Sequence, residues 1–168
     1  MFFRPFKKII SGGQTGADRA ALDVAIALRI PHGGWCPAGR RSEDGTIAPI
    51  YQLQETNTRN YAQRTEQNVL DSCGTLILYL KTISGGTALT QRLSRTHSQP
   101  CLCIDLSPSI LDTAQLSASL TDWGTSNQIE TLNVAGPRAS TQPAIYSLAY
   151  AFLYEALPRA ADASETNF

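Results

Sequence analysis

Four short apolar runs constrain this chain more than any other feature of its sequence. "FKKIIS" (6–11), "TLILYL" (75–80), "CLCIDL" (101–106) and "ETLNVA" (130–135) are each bounded by turn-forming residues and are too short for helices, so they read as buried strands. Between them the pattern changes to a helical period. Ala21, Val24, Ala25 and Leu28 follow i, i+3, i+4, i+7 spacing, and Ile145, Leu148, Ala149 and Phe152 repeat it near the end, so each segment can turn one apolar stripe toward a sheet. Residues 59–72, 87–97 and 112–123 read as further helices. Strands that alternate with helices call for a mostly parallel sheet covered on both faces.

The predicted fold class is therefore α/β, a three-layer α/β/α sandwich with a Rossmann-like, mostly parallel sheet. At 168 residues one domain is the expectation, over residues 1–157. Residues 158–168 ("RAADASETNF" after Pro158) have little to bury and are expected to form a flexible tail. Residues 32–58 stand apart, being rich in Gly, Pro and polar side chains with no sustained period. A stretch this long inside a compact domain reads as a functional loop.

Charge narrows the function classes by what it leaves out. The 14 basic and 14 acidic residues cancel, so bulk charge gives no sign of a nucleic-acid or membrane partner. No apolar stretch reaches the roughly 20 residues needed to cross a bilayer, and "MFFRPFKK" is too short and broken for a signal peptide, so a cytoplasmic location is expected. Cys36, Cys73, Cys101 and Cys103 show no C-x-x-C spacing, and Cys101 and Cys103, two apart in a strand, read as small fillers on one face. His32 and Cys36 lack further partners at ligand spacing, so no metal site is expected.

Loops that leave the carboxyl ends of parallel strands gather along one sheet edge, which is where ligands bind in such folds. Three strand-to-helix junctions here carry glycine, hydroxyls and a following helix: Ser11-Gly12-Gly13-Gln14-Thr15-Gly16, Ser84-Gly85-Gly86-Thr87, and Gly136-Pro137-Arg138-Ala139-Ser140-Thr141. Glycine permits close backbone approach, and the free N–H groups of a helix start favour an anion. Taken singly, each loop reads as a tight turn plus an N-cap, with Ser84, Thr87, Ser140 and Thr141 as caps and Thr15 with Asp18 as a capping box. Three on one edge point instead to a phosphate- or oxyanion-bearing ligand. The first loop has neither the lysine of a P-loop nor G-x-G-x-x-G, which sets aside ordinary NTPase and NAD-dehydrogenase readings.

Asp18, Arg19, Arg40, Arg41, Glu43, Asp44 and Arg138 are the charged residues placed to close such a site, the arginines by their planar fork for oxyanions. Tyr61, Arg64 and Asn68 share one helical face, which reads equally as a pocket lining or as a solvated face.

Five motifs in order, "SGGQTGADRAALD", "GWCPAGRRSEDG", Tyr61 to Ser72, "SGGTALT" and "NVAGPRAS", resemble the molybdenum-carrier family, the circularly permuted YpsA-like branch of the SLOG superfamily. The likeness runs from about Lys7 to Leu157. It implies a Rossmann-like fold akin to lysine-decarboxylase-like proteins and the phosphoribohydrolases of the "lonely guy" group. It also implies a nucleotide-like or molybdenum-cofactor ligand and a homo-oligomer, dimer or tetramer. The positions it carries over as ligand-binding are the first glycine loop with Asp18, Arg19, Arg40, Arg41, and Ser84 to Thr87. Gly136 and Arg138 join them from the third loop. One departure matters: where the hydrolases carry a glutamate, this chain has Thr90, whose neutral hydroxyl cannot act as a carboxylate does. The reading is thus a binding or carrier protein for a phosphorylated nucleotide-like ligand. The alternative is a nucleoside-monophosphate N-glycosidase using Asp18 or Glu43, and a third reading is a ligand sensor.

Overall fold

A computed structural model describes residues 3–109 and 112–159. In chain order the strands among them are β1 (Lys8–Ile10), β2 (His32–Gly33), β3 (Trp35–Cys36), β4 (Arg41–Ser42), β5 (Gly45–Thr46), β6 (Gln54–Glu55), β7 (Gly74–Tyr79), β8 (Cys101–Asp105) and β9 (Thr131–Ala135). The helices are α1 (Ala17–Ala27), α2 (Tyr61–Leu70), α3 (Gly85–Thr96), α4 (Thr113–Ser126) and α5 (Ile145–Ala156). The predicted strands and helices are all present, and the sandwich has the expected three layers. The part of the predicted tail from residue 160 onward lies outside the described residues.

The central sheet runs β2-β1-β9-β7-β8, and every pair in it is parallel. Side-chain alternation divides its faces. Ile9, Leu76, Leu78, Leu132 and Val134 join Val24, Leu120, Phe152 and Leu153 in a continuous apolar core, which places α1, α4 and α5 over one face. Burying each such side chain contributes about 1.5–3 kcal/mol. The opposite face, under α2 and α3, is more polar. There Asn133 lies buried and its Nδ2 donates to Thr75 Oγ1 at 3.1 Å.

Residues 32–58 are not structureless. Two of them form β2, the sheet edge beside β1, while β3 pairs with β6 in parallel and β4 with β5 in an antiparallel hairpin. Strands of two residues leave no periodic signal to read. No helix among the described residues is long and apolar enough to cross a membrane.

The order of the strands decides where the glycine loops meet. β1, β9 and β7 are neighbours, so the loops leaving them converge at the centre of the carboxyl edge, where the direction of winding changes. Their contact is close. A Cβ built on Gly136 would lie 2.3 Å from the Leu78 carbonyl oxygen and 2.6 Å from Ala17 Cβ, and one on Gly16, where φ is +83°, would lie 2.3 Å from the Pro137 carbonyl oxygen. Gly136→Ala is therefore expected to lower stability by about 1–3 kcal/mol, as measured by urea denaturation.

Candidate functional site

The first loop is shaped by a charge that the fold buries. Asp18 sits in the first turn of α1 and is 3% exposed. Its Oδ2 accepts from Arg64 Nη1 of α2 at 3.0 Å and from the Gln14 backbone N–H at 3.3 Å. Burial pushes the Asp18 carboxyl above its ordinary range, and the attraction of Arg64 opposes that rise only in part. Gly12 makes the pairing possible: a Cβ there would lie 1.6 Å from Arg64 Nη1. Thr15 does not cap α1 as expected. The N-cap is Gly16, without a side-chain bond, because Thr15 is turned toward the third loop.

Glu43, offered from the hairpin segment, ties the first loop to the third. It accepts hydrogen bonds from Thr15 Oγ1, from the Ser140 hydroxyl at 2.5 Å and from the Ser140 N–H at 3.1 Å, with Arg138 Nη1 3.9 Å away. Thr15 Oγ1 also accepts from the Ala139 N–H at 3.1 Å. Desolvation acts to raise the Glu43 pKa, but the bonds from Ser140 and Thr15 and the nearby Arg138 outweigh it and hold the carboxyl below its ordinary 4.5. Glu43 is thus a strut between loops. Ser140 serves Glu43 and not α5, whose N-cap is Ala144.

The second loop is the open one. Ser84 occupies the N-cap position of α3 but makes no side-chain capping bond, so the N–H groups of the first turn have no such partner. Gly86 has open space where a Cβ would stand and no positive φ, so neither packing nor backbone geometry requires glycine there. This helix start faces a cleft of about 130 Å³. Gln14, Asp18, Tyr61, Arg64, Ser84 to Thr87, Gly136 and Arg138 line it, along with Leu89, Thr90 and Gln142. Gln14 is 5% exposed; its Oε1 accepts from the Thr15 and Glu43 N–H groups at 3.0 and 2.9 Å, and its buried Nε2 has no hydrogen-bond partner among the described residues.

The remaining predicted residues are placed differently. Arg40 is turned into its own loop, where its guanidinium donates to the carbonyls of Ile47, Ala48, Tyr51 and Leu53 at 2.8–3.3 Å. Arg19 donates to the Gly13 carbonyl at 3.0 Å and pairs with Asp44 at 3.2 Å. Neither lines the cleft; each holds a backbone segment of the loops beside it. Gly13 is crowded by Leu53 and Ile47 on the same side. Arg41 is outside the cleft lining, but its guanidinium carbon lies 5.3 Å from the ring centroid of Tyr61, which lines it.

The three loops, the buried pair and the five motifs that meet here fit one family. A model of the circularly permutated YpsA SLOG family matches residues 9–157. The chain belongs to that family. Among solved structures it is similar to a "Putative molybdenum carrier protein" from Syntrophus aciditrophicus SB, with 48% identity, 92% of this chain and 97% of that one covered, and a TM-score of 0.88. No curated protein matches.

In this SLOG protein the α2 face with two open readings resolves residue by residue. Tyr61 and Arg64 line the cleft, whereas Asn68 is buried and holds the β3 backbone, accepting from the Trp35 N–H at 2.8 Å and donating to its carbonyl at 2.9 Å. The partner of Arg64 was beyond sequence reading, because nothing in the spacing of residues 18 and 64 signals a contact. Thr82, Leu89 and Gln142 carry no signal of their own; they reach the cleft through their positions beside glycine loops.

Three outcomes follow from this geometry. Arg64→Ala leaves Asp18 buried without its counter-charge and is expected to cost about 3–5 kcal/mol, with part of the loss recovered in Arg64→Ala/Asp18→Asn, by chemical denaturation. Arg40→Ala is expected to speed amide exchange across residues 47–54, read by hydrogen–deuterium exchange, because four carbonyls lose their donor. The lowered pKa of Glu43 means that its contribution to stability is present above 4.5 and is lost as the pH falls through the folded-state value. The melting temperature of Glu43→Gln should therefore lie below wild type at neutral pH, with the gap closing as the pH drops below 4.5.

Proposed function

We propose that this protein binds and carries a small phosphorylated, nucleotide-like ligand, with molybdenum cofactor as the first candidate cargo, without turning it over. The observation that carries this reading is the uncapped amino end of α3, facing a cleft beside Arg64 and Arg138. Free N–H groups and the positive end of the helix dipole suit a phosphate, and Gly86 leaves room for one to approach.

The groups that a hydrolase would need are otherwise engaged. Thr90, which stands where the related hydrolases carry glutamate, donates its hydroxyl to the Gly86 carbonyl within its own helix at 3.1 Å. Asp18 is locked to Arg64, and Glu43 to Thr15 and Ser140. No group of three His, Cys, Asp or Glu that could hold a metal ion occurs among the described residues, so the hold on a molybdenum-bearing cargo would fall on its anionic groups. The similar structure from Syntrophus aciditrophicus SB, named for molybdenum carriage, supports the choice of candidate. A homo-oligomer, dimer or tetramer, and a cytoplasmic location belong to the same proposal.

The hydrolase alternative keeps one observation in its favour: Asp18 lines the cleft and has a raised pKa, as a general acid would. A calorimetric and thermal-shift screen against nucleotides, ADP-ribose, molybdate, tungstate and molybdenum cofactor separates the two. Saturable binding without release of free base is the expected result, and a hundredfold excess over Kd should stabilise the fold by about 2.7 kcal/mol. Base release that is abolished in Asp18→Asn would establish the enzyme instead.

A further inference from the structure

Three arginines from three different segments gather around one aromatic ring, that of Tyr61, which lines the cleft. The guanidinium carbons of Arg41, Arg138 and Arg64 lie 5.3, 5.5 and 5.8 Å from the Tyr61 ring centroid. Their counter-charges do not match. Arg64 is paired with Asp18 at 3.0 Å, while Arg138 has Glu43 only at 3.9 Å, and that carboxylate already takes three hydrogen bonds from Thr15 and Ser140. Arg41 is exposed and has no carboxylate within ion-pair distance among the described residues. The ring face attracts each cation weakly, on the order of 0.5–1 kcal/mol where solvent reaches it. One guanidinium without a carboxylate and a second held only loosely, side by side on one ring, mark a place for an anion.

This collar is separate from the amino end of α3, yet Tyr61, Arg64 and Arg138 line the same cleft as Ser84 to Thr87. Gln14 adds an independent sign of a missing partner, being nearly fully buried in the cleft lining with an Nε2 that is unbonded among the described residues. We infer that the cleft takes a ligand bearing two linked anionic groups, a diphosphate or an equivalent pair. One group sits on the N–H groups of Gly85 to Thr87 and the other on Arg41 and Arg138 beside Tyr61. The inference rests on the anion-binding reading above and sharpens it. A ligand with one phosphate fills only the first position.

Isothermal titration of the full chain with inorganic phosphate and with pyrophosphate tests it. Pyrophosphate is expected to bind at least about tenfold tighter than phosphate in the wild type, as one further set of charge-assisted hydrogen bonds would give. Arg41→Ala should cut that advantage to about twofold by weakening pyrophosphate binding. Arg92→Ala on α3, outside the cleft lining, should change neither. Equal affinities for the two anions in the wild type would overturn the second position and leave the first standing. An advantage that survives intact in Arg41→Ala and in Arg138→Ala, with circular dichroism unchanged, would likewise overturn it. If neither anion binds, the anion-binding reading falls as well.

Discussion

The buried pair of Asp18 and Arg64 is the interaction on which the arrangement of the edge depends. It joins the first turn of α1 to α2, which lie on opposite faces of the sheet, and it does so across the glycine loop that separates them. Such a pair is weak evidence of net stability, because desolvating two charges offsets most of their attraction. Its consequence is positional. With Arg64 drawn to Asp18, Tyr61 one turn earlier on α2 is set at the cleft mouth, and Arg41 and Arg138 can approach the same ring. Gly12 is the residue that this geometry demands, since any side chain there would stand where the guanidinium passes.

Around that pair the other polar groups divide into those that hold the walls and those left open. Glu43 fastens the first loop to the third, Arg40 folds its own segment over four carbonyls, and Arg19 clamps Gly13 to Asp44. Asp23 accepts from Tyr51 and Tyr146, both at 2.6 Å, which pins the long segment to α1 and α5. Burial and this shared carboxylate push the Tyr51 phenol up to about 12. By contrast, among the described residues the amino end of α3 has no side-chain cap, Gln14 Nε2 no partner and Arg41 no carboxylate. The satisfied groups hold the loops in place, while the start of α3 and Gln14 line the cleft.

The sheet and its helices were legible because their signals are local. The run "TLILYL" is buried from Thr75 to Leu78 in β7, and the apolar stripes of α1 and α5 meet in the core as their spacing requires. The glycine loops were legible for a similar reason, since strand direction alone brings them to one edge. The roles of individual arginines were not. Arg40 and Arg41 are neighbours of the same chemical type, yet one turns inward to backbone carbonyls and the other outward to a ring, and a positive φ of 52° at Arg40 helps set that divergence. The capping-box reading of Thr15 and Asp18 failed because tertiary partners, Glu43 and Arg64, compete for both side chains. Contacts between residues 28 to 124 positions apart leave no local trace in a single sequence.

The proposed function stands on the open start of α3 holding an anion. An amide-resolved NMR titration of the full chain with inorganic phosphate tests it most directly. Saturable shifts are expected to be largest at the N–H groups of Gly85, Gly86 and Thr87, with smaller ones at Gln14 and Arg138. Saturable shifts centred away from the cleft, or no saturable shift at any amide, would contradict it.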